Sequence, residues 1–288
     1  MNKIRIGVLG GSGLYRMESL LNAEERRVDT PYGAPSDAIM CGQLGNIEVA
    51  FLARHGQHHH LLPSEVPYRA NIHALRQLGV RYLLSFSAVG SLQEDIAPLD
   101  MVLPDQFIDM TRHRINTFFG SGAVAHVSMA EPVCPNLAHI LGEAVLATDA
   151  TIRLHRSATY LCMEGPQFSS LAESRWYRSL GADVIGMTNM PEAKLAREAQ
   201  MAYASLGMVT DYDCWHPREA HVTAEAAIAN LMKNGERAQA ILVKVIEALA
   251  HDLPQSTAHH ALAHALVTPW EAMSEEVQQR LSPLLSNE

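Results

Sequence analysis

Five short polar or glycine-rich pieces stand where apolar, strand-like runs stop: Gly10-Gly11-Ser12-Gly13, Arg54-His55, Ser87-Ala88, Met187-Thr188 and Asp211-Tyr212-Asp213. The first four have the chemistry of an oxyanion site. A glycine run lets the main chain approach a ligand and offers N–H groups beside the Ser12 hydroxyl. Arg54 adds a planar fork that can take two oxygens, His55 an imidazole that can donate, and Ser87, the Ala88 N–H and Thr188 further neutral donors. Asp211 and Asp213, at i and i+2 on a strand, project from one face and can share one ligand edge, either a cation or the donors of a nitrogen heterocycle. Each piece alone has an ordinary explanation: a strand-to-helix turn, a salt-bridged surface arginine, a capping hydroxyl. Phe168 and Met187 read as core residues, although an aromatic beside the Gly165-Pro166 turn can also wall a base pocket. The glycine run fits neither GxGxxG nor GxxxxGK[ST], so neither a dinucleotide nor an ATP site follows. The run His55, His58, His59, His60 raises metal binding. Three consecutive histidines point in different directions, however, and no cysteine or carboxylate lies at ligand spacing, so no metal is expected.

For these pieces to meet, their strands must lie side by side. The pattern predicts strands over Ile4 to Leu9, Asp37 to Leu44, Asn46 to Ala53, Arg81 to Phe86, Met101 to Leu103, Ala158 to Met163, Asp183 to Ile185 and Ala202 to Thr210. Helices are expected over Pro67 to Gly79, Asn136 to Thr148, Leu171 to Leu180, Pro191 to Gln200, Thr223 to His251 and Trp270 to Leu285, with an irregular stretch from Asp109 to Glu131. Alternating strands and helices imply an α/β fold: one domain over residues 1–288, with a mixed, mostly parallel central sheet covered by helices. Residues 252–288 read as a C-terminal connector and helix without an assigned role. In such sheets ligands bind at the carboxyl ends of strands, where the five polar pieces fall.

Composition narrows the partners. The 288 residues carry 22 Lys+Arg against 31 Asp+Glu, a net charge of −9. Nucleic-acid binding needs a basic face and is excluded as a general activity. No apolar run reaches the roughly 18 to 20 residues of a membrane span, and no signal-peptide pattern opens the chain, so a cytoplasmic protein is expected. Cys41, Cys134, Cys162 and Cys214 form no CxxC pair and read as reduced, structural thiols.

Further text accompanies the polar pieces in order: Asp29 to Asp37 (DTPYGAPSD), Ala53 to Gly56, Ala88 to Leu92, Asp105 to Asp109 (DQFID), Met129 to Pro132, Glu164 to Ser170 (EGPQFSS), Gly186 to Thr188, and Thr210 to Trp215. Over roughly residues 7–231 this text resembles the 5′-methylthioadenosine phosphorylases of the trimeric purine nucleoside phosphorylase superfamily. The resemblance implies a phosphate site from Ser12, Arg54, His55, Ser87, Ala88 and Thr188, with Met187 at the ribose hydroxyls and Phe168 against the purine face. It implies that Asp211 and Asp213 face the purine N7 and 6-amino group as the catalytic pair, and that Ala224, Ala227 and Ile228 surround the methylthio group. It implies that His126 reaches a neighbouring subunit's site, in a homotrimer or a dimer of trimers. The implied reaction is phosphorolysis of 5′-methylthioadenosine to adenine and 5-methylthioribose 1-phosphate, a pentosyl transfer with inorganic phosphate as co-substrate and no other cofactor. Gly186 stands where some relatives have Asn. Three rival readings stay open here: a phosphorylase of adenosine or of 6-oxopurine nucleosides including methylthioinosine, a nucleosidase using water, and a non-catalytic nucleoside-binding module.

Overall fold

Apolar residues fill both faces of the first strand, β1 (Ile6–Gly10), because it lies between two parallel neighbours, β4 (Ile47–Ala53) and β5 (Tyr82–Ser91). The computed structural model describes residues 4–11, 14, 19–217 and 224–285, with only the main chain given at 224–229 and 231. Outside β4 lie two antiparallel strands, β3 (Ile39–Leu44) and β2 (Leu21–Arg26). The rest of the sheet is built from β6 (Met101–Asp109), β7 (Leu154–Cys162), β8 (Val184–Gly186) and β9 (Ala202–Asp211). The order is β2-β3-β4-β1-β5-β8-β7-β6-β9, and β9 pairs back onto β5, so the last five strands close on themselves.

β5 is the pivot of this arrangement. Its first residues, Tyr82–Ser85, pair with β1, its last two, Gly90 and Ser91, pair antiparallel with β8, and β9 follows its whole length on the other edge. Parallel and antiparallel pairs are therefore interleaved, as the mixed sheet expected from sequence requires. Two helix groups cover it: α1 (Tyr68–Gln77), α4 (Asn189–Glu198) and α6 (Glu275–Leu285) lie together, and α2 (Pro135–Thr148) packs on α5 (Ala224–His251), which also meets β9. Between β7 and β8 lies α3 (Leu171–Ser179), started by a capping box in which Ser170 and Glu173 satisfy each other's main-chain N–H groups. Leu281 and Leu284 of α6 join the same apolar cluster as Ile4 and Ile6, so the C-terminal segment is part of the core.

Several elements differ from the sequence expectation: β5 runs on to Ser91, β7 begins at Leu154, and the terminal helix α6 begins at Glu275, after a separate short turn at Trp270–Ala272. β6 does not stop at Leu103 but runs through Pro104 to Asp109, with register shifts against β7 around Pro104. Proline cannot donate to the ladder, and the irregularity lets the strand skip that bond. β2 has no counterpart in the sequence reading. Its residues are exposed or half-buried and highly charged, as suits the sheet edge, so it has no buried face to leave an alternating pattern.

Gly10 ends β1 where space is fully used: an added Cβ would lie 2.1 Å from the Leu14 carbonyl oxygen and 2.6 Å from the Phe51 ring. Gly10→Ala is expected to cost about 1–3 kcal/mol by overpacking, read as a lower urea midpoint at unchanged m.

Candidate active site

A cavity of about 650 Å³ opens over the carboxyl ends of β4, β5, β8 and β9. Arg54, His55, Ser87, Ala88, Phe168, Met187, Thr188, Asp211 and Asp213 line it, together with Gly11, Gly90 and Met163. Residues as far apart in sequence as Gly11 and Asp213 are thus brought to one cavity by strand order. Ser12 lies outside the described residues, and so do the side chains of Ala224, Ala227 and Ile228, which stand on the first turns of α5. A later residue of that helix, Met232, borders the cavity. His126 is exposed on the stretch between β6 and α2, with its main-chain N–H on the Ala265 carbonyl, and does not line this chain's cavity.

At the oxyanion end the arginine is present but its fork is not free, a correction to the sequence expectation. Arg54 is 1% exposed, its Nε donates to Glu192 Oε2 at 2.6 Å, and its Nη2 donates to Ser85 Oγ at 2.8 Å and Glu192 Oε1 at 3.3 Å. Nη1 gives one proton to the Phe86 carbonyl at 3.1 Å and lies beside Gly11, whose added Cβ would stand 2.8 Å from it. One N–H of five therefore remains for a ligand. Burial works against the charge, and the Glu192 carboxylate more than offsets it, so the Arg54 pKa is raised. Ser87 Oγ is buried and has no partner among the described residues, as a group waiting for a ligand would be. The Thr188 main-chain N–H meets the Tyr160 hydroxyl at 3.4 Å.

His55 needs a second correction. Its Nδ1 lies 2.9 Å from the Leu61 carbonyl, which can only accept, so that nitrogen carries the proton and is already used. Burial, then the Arg54 charge, push the ring pKa down to about 3, leaving a neutral imidazole whose other nitrogen is an acceptor. His59 stacks on it at 4.3 Å, and the His60 ring packs over Gly56. The histidine run thus walls the cavity; among the described residues no group of three or more His, Cys, Asp or Glu is placed to hold a metal.

At the other end, burial raises the Asp211 carboxyl to about 6, against bonds from the Thr210 hydroxyl at 2.6 Å and the Asp213 N–H at 2.8 Å, with the Asp213 charge adding to the rise. Asp213 is raised as well, chiefly by burial. It sits at φ 52°, in the left-handed region, which turns the chain sharply after β9. An added Cβ at Gly90 would lie 2.9 Å from Asp211 Oδ1, so the bare glycine lets the carboxylate approach β5. Trp215 donates to the Ser91 carbonyl at 2.8 Å under the Arg178 guanidinium, bracing the same turn.

Sequence reasoning missed Glu192, Arg114, Gly90 and the Leu61-Leu62-Pro63 wall. Glu192 follows a proline in the first turn of α4, where an acid is ordinary helix-dipole chemistry, so no local signal marks it. Gly186 has a structural reason: an added Cβ would fall 2.0 Å from the Tyr160 hydroxyl, which fills the space of a side chain there.

The closed sheet and a cavity with oxyanion donors facing buried carboxyls define a nucleoside phosphorylase-like protein. The model of the phosphorylase superfamily matches residues 5–247, and the chain belongs to that family. It is similar to S-methyl-5′-thioadenosine phosphorylases from Thermosynechococcus vestitus, at 56% identity over 98% of both chains, and from Synechocystis, at 57% identity over 97% of this chain and 86% of that one. Among solved structures, a methylthioadenosine phosphorylase from an antarctic soil metagenomic library superposes with a TM-score of 0.94 at 60% identity, covering 99% of this chain and 100% of that one. A methylthioadenosine phosphorylase from Schistosoma mansoni in complex with adenine superposes at 0.83 with 33% identity, over 99% of each chain.

Two stability measurements follow. Glu192→Ala leaves Arg54 as a buried cation without its counter-ion and is expected to cost about 3–5 kcal/mol in urea unfolding. Asp211 holds its proton more tightly folded than unfolded, so its contribution is full below about pH 4 and is lost as pH rises through about 6. Asp211→Asn is therefore expected to gain about 3 kcal/mol relative to wild type between pH 4 and pH 8, a gain that a pH series of unfolding curves reads directly.

Proposed function

We propose that this chain catalyses phosphorolysis of 5′-methylthioadenosine, giving adenine and 5-methylthioribose 1-phosphate. The observation that carries the reading is one cavity that has, at one end, a buried arginine and a buried hydroxyl without a partner among the described residues and, at the other, a carboxyl poised near neutrality. The near-full-length similarity to named methylthioadenosine phosphorylases supports it.

In this reading Ser87, the Ala88 N–H, Thr188 and the remaining Arg54 N–H hold phosphate, with Ser12 added from the glycine run, and no other cofactor takes part. His55, neutral, accepts from a protonated phosphate oxygen. A second phosphate oxygen attacks the anomeric carbon while the carbon–nitrogen bond to the purine breaks, so positive charge grows on the sugar and electrons flow into the base. Asp211 delivers its proton to N7, and Asp213 accepts from the 6-amino group, which favours adenine over 6-oxopurines. The Thr210 hydroxyl has the Val89 carbonyl at 3.3 Å and Asp211 Oδ2 at 2.6 Å within reach, so it can serve either protonation state of Asp211. Phe168 and Met187 flank base and ribose, and the start of α5 surrounds the methylthio group. The protein acts in the cytoplasm, in purine and methionine salvage, as a homotrimer or a dimer of trimers whose exposed His126 reaches a neighbour's site.

The deciding experiment is turnover with and without inorganic phosphate, with products identified. Adenine and a sugar 1-phosphate, formed only with phosphate, are expected; adenine released equally by water alone would make the protein a nucleosidase. Asp211→Asn is expected to lower kcat/KM for methylthioadenosine by about 10²-fold or more. Asp213→Asn should raise the inosine-to-adenosine preference, because the new amide can donate to a 6-oxo group. Unchanged selectivity would remove Asp213 from the base site.

A further inference from the structure

Arg114 has none of its side chain on the cavity surface, yet it contacts three of the cavity's walls. Its side chain is 1% exposed. Nη1 donates to the Met187 carbonyl at 2.6 Å and the Met190 carbonyl at 2.7 Å, the segment that carries Thr188. Nη2 donates to the Glu164 carbonyl at 2.7 Å, and Nε to Glu164 Oε1 at 3.1 Å, the segment that leads through Pro166 to Phe168. The Tyr68 hydroxyl lies 3.1 Å from Nη1 and donates to the Pro63 carbonyl at 3.0 Å, the third wall. Glu164 in turn accepts the main-chain N–H groups of Arg112 and His113. The arginine and its own loop are thereby held as one piece.

We propose that Arg114 is a positioning residue that sets the gap between the purine wall at Glu164–Phe168 and the ribose–phosphate wall at Met187–Thr188. The inference rests on the reading of this cavity as the nucleoside and phosphate site. A planar fork is required for it. The two ends of the guanidinium reach carbonyls on different segments at once, whereas an ammonium is a single point that can serve Met187 and Met190 but not Glu164 as well. A shift of about 1 Å between the two walls would leave both subsites intact while spoiling the line of attack, a loss that can reach about 10²-fold. kcat should therefore suffer more than the KM of either substrate.

Three measurements test this in the full-length enzyme. Arg114→Ala is expected to lower kcat for methylthioadenosine phosphorolysis by about 10²-fold with KM values within about threefold, and millimolar guanidinium ion should restore at least tenfold of that loss, saturably, where sodium chloride does not. Arg114→Lys, which keeps charge and bulk, should stand about tenfold below wild type. Should the alanine variant not fold, the lysine variant alone decides: wild-type kcat in it overturns the proposal. A folded alanine variant with kcat within threefold of wild type, or one whose loss guanidinium leaves untouched, overturns it equally. A wild-type enzyme that shows no phosphate-dependent turnover would instead overturn the reading of the cavity.

Discussion

The buried ion pair of Arg54 and Glu192 is the constraint around which the rest of the site is arranged. Taking two charges out of water is expensive unless both find a full set of partners. Here Glu192 receives bonds from Arg54, from Ser85 Oγ at 2.6 Å and from the Tyr203 hydroxyl at 2.9 Å, so β4, β5, β9 and α4 are tied to one carboxylate. The consequence for chemistry is that Arg54 offers an anion a directed N–H more than a free charge. In the proposed reading, affinity for the oxyanion must then come from converging neutral donors, and the Ser87 hydroxyl, buried and without a partner among the described residues, suits that part.

The far end of the cavity solves a different problem with the same means. Asp211 is also a buried carboxyl, but its partners are a hydroxyl and a main-chain N–H, with no cation among them and a second carboxylate close by. Burial therefore shows up as a raised pKa. Two carboxylates in one fold thus take opposite parts, one fixed beside an arginine and one able to give up a proton, because of their partners alone.

How much of this was legible follows from the range of the interactions. Strand ends and their polar tips are local, and Arg54, Ser87, Thr188 and Asp211 can be read from apolar runs that stop in Gly, Ser or Asp. The fold class follows from alternation. Partners across the fold leave no such trace: Arg54 and Glu192 are 138 residues apart, and Arg114 meets Met190 across 76. An unpaired arginine at a strand tip and one already engaged look the same in one dimension, so the sequence alone offers both the fork of Arg54 and the donor of His55 to phosphate. β2 was invisible for the converse reason, since an exposed charged edge carries no buried periodicity.

The closed sheet accounts for why these long-range contacts hold. β5 changes partner along its length, from β1 to β8, and its register against β9 shifts between Val89 and Gly90, at the level where Asp211 arrives. A shift of one residue turns side chains to the other face. At that point the missing side chain of Gly90 leaves room for the Asp211 carboxylate, and the left-handed Asp213 turns the chain back so that its own N–H caps Asp211 Oδ1. An open sheet could deliver polar residues to its edge, but it is the return of β9 onto β5 that sets the acid beside strands already anchored by the arginine.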